Sequence, residues 1–259
     1  MSDYLFLISF VIGLNMIVGV LLGMSGISGF LLPLIYVGFL KMPVHDSLAL
    51  SFLSFAVSGI IGTISYWKSK NMNFKLALYL SIGSLPGAFL GVQINVLISD
   101  YLSKLLLYIF VLLAGLSILL KRNKDPVIEK KQSKMLTHSL LVILLGFITA
   151  AICALTGAGG PILLVPVLAG LGINIRTAVG VSLLNSIVIA IPSILGYFSH
   201  ASMGYSPMLI IGSLLGTIAG IVMGVRLANK VPIPQLKMMI AIITILSSFY
   251  MLVMLNIRA

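Results

Sequence analysis

Apolar sequence recurs ten times along this chain, over residues 4–22, 27–40, 45–67, 74–98, 102–120, 137–155, 160–172, 176–198, 206–228 and 234–255. The breaks between these runs are short and carry polar residues or Gly and Pro. A helix that crosses a bilayer needs roughly 20 apolar residues, and most of the runs supply about that. Of the 259 residues, 60% are hydrophobic and 8% are charged, against about 25% charged in a soluble domain. There is too little polar surface to cover a globule, so the bilayer must be part of the solvent. The expected fold class is an all-α polytopic membrane protein.

The formal charge of +11 does not point to nucleic acid, because Lys and Arg sit at the ends of apolar runs rather than along one face. If every run crosses, thirteen basic residues fall on one side and three, Lys41, Lys104 and Arg258, on the other. The rich side is cytoplasmic by the positive-inside rule, which places both termini outside a cell membrane. An alternative, eight spanning helices with 27–40 and 160–172 re-entering, gives a less polarised split of ten to six. The start, Met1-Ser2-Asp3, lacks the basic region of a signal peptide, so the first run is expected to stay as a spanning helix. One Cys and five acidic residues argue against a disulfide scaffold or a zinc module; no cofactor or metal is expected.

The halves match. Residues 1–120 form a first transmembrane repeat, 121–136 a cytoplasmic basic linker, and 137–259 a second repeat. Ser25-Gly26-Ile27-Ser28-Gly29 precedes Thr156-Gly157-Ala158-Gly159-Gly160 by 131 positions, and Ser51, Ser54 and Tyr66 precede Ser182, Asn185 and Tyr197 by the same offset. Gly83, Gly87 and Gly91 match Gly212, Gly216 and Gly220 at an offset of 129. Glycines four apart line one helix face and let helices approach closely in lipid. Five runs per half is an odd number, so the halves should be inverted, as in many secondary transporters.

The second and seventh runs are short, follow small residues and contain Pro33 or Pro166. Short, Gly/Pro-interrupted segments at matching positions point to a transporter's binding site. A helix that begins inside the membrane offers free N–H groups and the positive end of its dipole. Two such starts facing each other would cradle an oxyanion. The candidate site is Ser25, Gly26, Ser28 and Gly29 with Thr156, Gly157, Gly159 and Gly160, completed by Ser51, Ser54, Ser182 and Asn185. The competing reading is tight helix packing with no ligand, and serines bonded to their own backbone. His45, His138 and His200 lie near segment ends, and Arg176 reads as a boundary arginine or an anion attractor.

At Leu155–Ser186, LTGAGGPILLVPVLAGLGINIRTAVGVSLLNS, and in its degenerate copy at Gly23–Phe52, GMSGISGFLLPLIYVGFLKMPVHDSLALSF, the chain resembles the TauE/SafE-type sulfite exporter family. The resemblance covers nearly the whole chain. It implies transport of a small sulfur-containing anion, such as sulfite, a sulfonate or a sulfate-like oxyanion, with protons as the candidate coupling ion. The implied partners are that anion and the lipid bilayer. Three rivals stand beside it. Gly23-Met24-Ser25-Gly26 fits the GxSG pattern of rhomboid-type intramembrane serine proteases, which need a histidine within reach of the serine. An anion channel would use the same cradle. A non-transporting assembly protein is the third.

Overall fold

The computed structural model describes residues 2–25, 28–120, 133, 136, 138–201, 207–227 and 233–257. Ten α-helices run through them: α1 (Ser2–Ser25), α2 (Leu31–Gly38), α3 (Val44–Lys68), α4 (Phe74–Leu97), α5 (Asp100–Leu120), α6 (Ser139–Thr156), α7 (Gly160–Gly170), α8 (Ile175–Ser199), α9 (Pro207–Leu227) and α10 (Ile233–Ile257). A 3-10 turn, Ser28–Phe30, leads into α2. No strand occurs among the described residues. Helices α3, α4, α5, α6, α8 and α10 are each long and apolar enough to cross a membrane. Each apolar run contains one helix, because lipid leaves a backbone no partner but its own ladder.

α1 continues past the end of the first apolar run at Leu22 and through Ser25. The 3-10 turn with α2 and α7 each cover eleven residues, Ser28–Gly38 and Gly160–Gly170. At about 1.5–2.0 Å per residue they reach roughly 16–18 Å, well short of a bilayer core of about 30 Å. Each is followed by a residue with left-handed backbone, Lys41 (φ 52) after α2 and Gly172 (φ 91) after α7.

The glycine ladders decide the packing. A Cβ at Gly83, Gly87 or Gly91 of α4 would lie 1.8–2.3 Å from the carbonyl oxygens of Ile143, Phe147 and Ala151 on α6. Only glycine permits that approach. The partner positions rise together, so α4 and α6 run parallel. On the other side of the molecule a Cβ at Gly216, Gly220 or Gly224 of α9 would lie 2.3–2.4 Å from the carbonyl oxygens of Ile12, Met16 and Val20 on α1, again in parallel, while one at Gly212 would meet only side chains, Ile12 Cγ1 at 3.0 Å. Each half's ladder therefore grips the first helix of the other half. At the centre, Gly59 and Gly62 of α3 face Ile187 and Leu183 of α8, while Tyr66 reaches Gly180; this pair runs antiparallel. Of the spanning helices, α8 and α3 are the most enclosed and α10 and α5 the least. Leu78, Ile82, Leu85 and Phe89 on α4, and Ile211, Leu215, Ile218 and Val222 on α9, remain exposed, as a lipid-facing surface requires.

Candidate functional site

The starts of the 3-10 turn and of α7 meet at Phe55. A Cβ on Gly29 would lie 2.8 Å from Phe55 Cε1, and one on Gly159 3.2 Å from Phe55 Cε2. The ring is thus held between the two glycine clusters. Phe55 is the twelfth of the 25 residues of α3, close to its midpoint. At the repeat offset of 131 its counterpart is Ser186, the twelfth of the 25 residues of α8. Ser186 Oγ lies 2.9 Å from a Cβ placed on Gly160, which is the counterpart of Gly29. Both helix starts therefore abut the middle of a central helix. Gly29, Phe55, Ser58, Gly159, Ile162 and Ser186 are among the residues that line the space between them, which is closed down to about 10 Å³, room for about one water.

The break between α6 and α7 is unevenly satisfied. Four carbonyls near the end of α6, those of Ile152, Cys153, Ala154 and Leu155, have donors outside the regular helix ladder. Thr156 Oγ1 donates to Ile152 (2.7 Å), and the amides of Gly157 and Ala158 donate to Cys153. The Tyr197 hydroxyl donates to Ala154 (2.7 Å), and Asn95 Nδ2 to Leu155 (2.7 Å). Gly157 makes the turn with φ 72. The start of α7, by contrast, carries no side-chain cap. The exposed charge of this break is thus the positive end of a helix dipole, held where water is scarce.

Of the polar side chains expected here, two keep unused groups. Ser28 is fully buried and its hydroxyl has no hydrogen-bond partner; Asn185 is fully buried with neither amide nitrogen nor oxygen partnered. An orphaned buried amide costs about 1–3 kcal/mol per group, so such a residue asks for a ligand. Ser51, Thr156 and Ser182 donate instead to their own helices, at Ser47, Ile152 and Ala178. Ser25 ends α1 rather than opening the next segment, and Gly26 lies outside the described residues.

Ser54 joins a different set. Its hydroxyl donates to Asn15 Oδ1 (3.3 Å), and Thr217 Oγ1 lies 3.2 Å from both. Asn15 Nδ2 donates to the Tyr36 hydroxyl (2.5 Å) and to Val11 (2.8 Å). Asn15, Tyr36, Ser54 and Thr217 come from α1, α2, α3 and α9, and all are buried. This cluster ties the second segment to three neighbours. An amide at position 15, within an apolar run, was the available sequence signal; its partners were not legible because they lie on other helices.

Aromatic rings lead from Phe55 to one end of the bundle. Phe55 meets Phe52 edge-on (centroids 5.4 Å), Phe52 stacks on Tyr197 (5.9 Å), Tyr197 on His45 (6.0 Å), and His45 meets His200 (6.3 Å). His45 is the second residue of α3, His200 caps the end of α8 and His138 precedes α6. Arg176, second residue of α8 and exposed, lies about 14 Å along the helix from Asn185, at the molecule's surface.

Among curated proteins, the chain is 26% identical over 228 residues to the probable membrane transporter protein YdhB of Bacillus subtilis, covering 85% of this chain and 90% of that one. Probable membrane transporter protein YjnA of the same organism is 26% identical over 252 residues, covering 92% and 96%. A probable membrane transporter protein of Methanocaldococcus jannaschii is 28% identical over 214 residues, covering 78% and 77%. No solved structure gives a significant match. The family model described as Sulfite exporter TauE/SafE matches residues 9–251. With nearly all of its helices inside that match, this chain belongs to the sulfite exporter TauE/SafE family.

Proposed function

We propose that this membrane protein is a secondary transporter that carries a small sulfur-containing oxyanion across the cell membrane by alternating access. The observation that carries the reading is the convergence of two segment starts, the 3-10 turn at Gly29 and the uncapped α7, on Phe55 and Ser186, midway along the two central helices. Their N–H groups and the unpartnered Ser28 and Asn185 supply donors for an anion at a depth where water is scarce. The backbone at Gly159 and Gly160, with Gly29, Gly157 and Thr156 around it, would hold the anion. Ser51, Ser54 and Ser182 would join the shell only by releasing their present acceptors. With about 10 Å³ free, the described state is closed, so loading requires Phe55 to move.

Helix direction supports an inverted pair of five-segment repeats. α3 runs parallel to α1, since Asn15 meets Ser54 and Leu22 meets the same cavity as Ser58. A re-entrant second segment would instead leave α3 antiparallel to α1. The mirrored pairings, α1 with α9 and α6 with α4, and the antiparallel α3–α8 pair, are those a two-fold axis in the membrane plane would generate. Proteoliposome flux of sulfite and of short sulfonates tests the function. Gly160→Leu fills the cradle and should abolish flux in protein that remains folded. Wild-type flux in a folded Gly160→Leu variant would place the anion elsewhere.

A further inference from the structure

A second cavity, far larger than the space at the helix starts, lies elsewhere. It holds about 550 Å³ and lies where the end of α2, the start of α5 and the end of α10 meet. That volume falls in the range of small-ligand sites, about 300–1,000 Å³. Lys41 and Lys104 both line it, together with Tyr101, Tyr108 and Tyr250. Its apolar wall is Met251 and Met254. It shares no lining residue with the cradle.

Two features single out the lysines. The sparse side of the membrane is assigned three basic residues in the whole chain, Lys41, Lys104 and Arg258, and the fold brings two of them into one cavity. Basic residues on that side work against the charge asymmetry that orients the chain, which sets these two apart from the boundary lysines of the opposite side. The second feature is backbone. Lys41 takes a left-handed φ of 52, and its counterpart 131 positions on is Gly172, with φ 91. The same helix stop is thus made by glycine, at no steric cost, in one half, and by lysine, at a cost, in the other. Lys70, just after α3, takes the same left-handed backbone (φ 57), so the turn neither requires a lysine nor excludes one, and glycine would serve at position 41. On α5, Tyr101, Lys104 and Tyr108 are spaced by three and four, on one helix face.

We propose that this cavity is a second anion site, on the basic-poor side of the membrane, that binds a tetrahedral oxyanion between the Lys41 and Lys104 ammonium groups with tyrosine hydroxyls as further donors. A free sulfate-like anion and the phosphate of an anionic lipid headgroup share this chemistry, and the cavity is large enough for either.

Full-length protein purified in neutral detergent is titrated with sodium sulfate at constant ionic strength by calorimetry, and its retention of phosphatidylglycerol is read by native mass spectrometry. Lys41→Gly suits the left-handed turn and leaves melting unchanged or raised; Lys104→Gln keeps the helix. Each weakens binding at this site by about tenfold, the low end for a hydrogen bond to a charged group. Loss confined to sulfate identifies the free anion as occupant, and loss confined to the lipid identifies the headgroup; either supports the proposal. Sulfate and lipid binding unchanged in both variants, or no binding of either by wild type, overturns it. Sulfate binding that persists in both variants and disappears in Asn185→Leu belongs to the cradle, which separates the two sites.

Discussion

Asn185→Leu should make the protein more stable and useless as a carrier. The amide is fully buried on α8, and neither of its polar atoms has a partner. Leucine has the same branched four-atom side chain with methyls in place of the polar atoms, so the substitution removes two orphaned groups without opening a cavity. Each such group costs about 1–3 kcal/mol; taking the low end for both gives about 2 kcal/mol of stabilisation. For a protein of this size, about 1 kcal/mol moves Tm by roughly 2–4 °C, so Tm should rise by about 4–8 °C. The same change deletes a donor to the anion and should lower sulfite flux at least tenfold, since a hydrogen bond to a charge contributes about 1.5–3 kcal/mol. Thermal unfolding in detergent, with and without sulfite, and proteoliposome flux measure both effects. A lower Tm together with retained flux would refute the reasoning, because it would mean that Asn185 serves the fold and not the anion.

Phe55→Ala should open the space between Gly29 and Gly159 and raise uncoupled anion leak, read as flux without an imposed gradient of coupling ion; an unchanged leak would remove Phe55 from the gate. Gly87→Ala should lower Tm in detergent, since the new Cβ would meet Phe147 O at 2.2 Å and overpacking costs about 1–3 kcal/mol; an unchanged Tm would deny that the ladder fixes α4 on α6. With native Cys153 replaced, cysteines at positions 2 and 258 should react with an impermeant maleimide in intact cells, and one at 128 should not. The opposite pattern would reverse the assigned orientation.

The amino-acid sequence determined the helices and their rough ends, because a bilayer permits a backbone segment little except a continuous helix, and the composition of each run sets its length. It also determined the two short segments and both glycine ladders, since a glycine every fourth residue has one geometric consequence whatever it meets. Only the tertiary structure decided what fills and surrounds the site. Phe55 reads in sequence as one more apolar residue of α3, yet its ring lies between the two glycine clusters, where the proposed anion would sit. Ser51 and Asn185 look alike as polar residues in apolar runs, but one is satisfied by its own helix and the other by nothing. The Asn15–Tyr36–Ser54–Thr217 cluster and the cavity that Lys41 and Lys104 both line join residues distant along the chain. Periodicity describes one helix at a time, whereas a binding site in lipid is made between helices, where packing decides which polar groups find each other and which are left for a ligand.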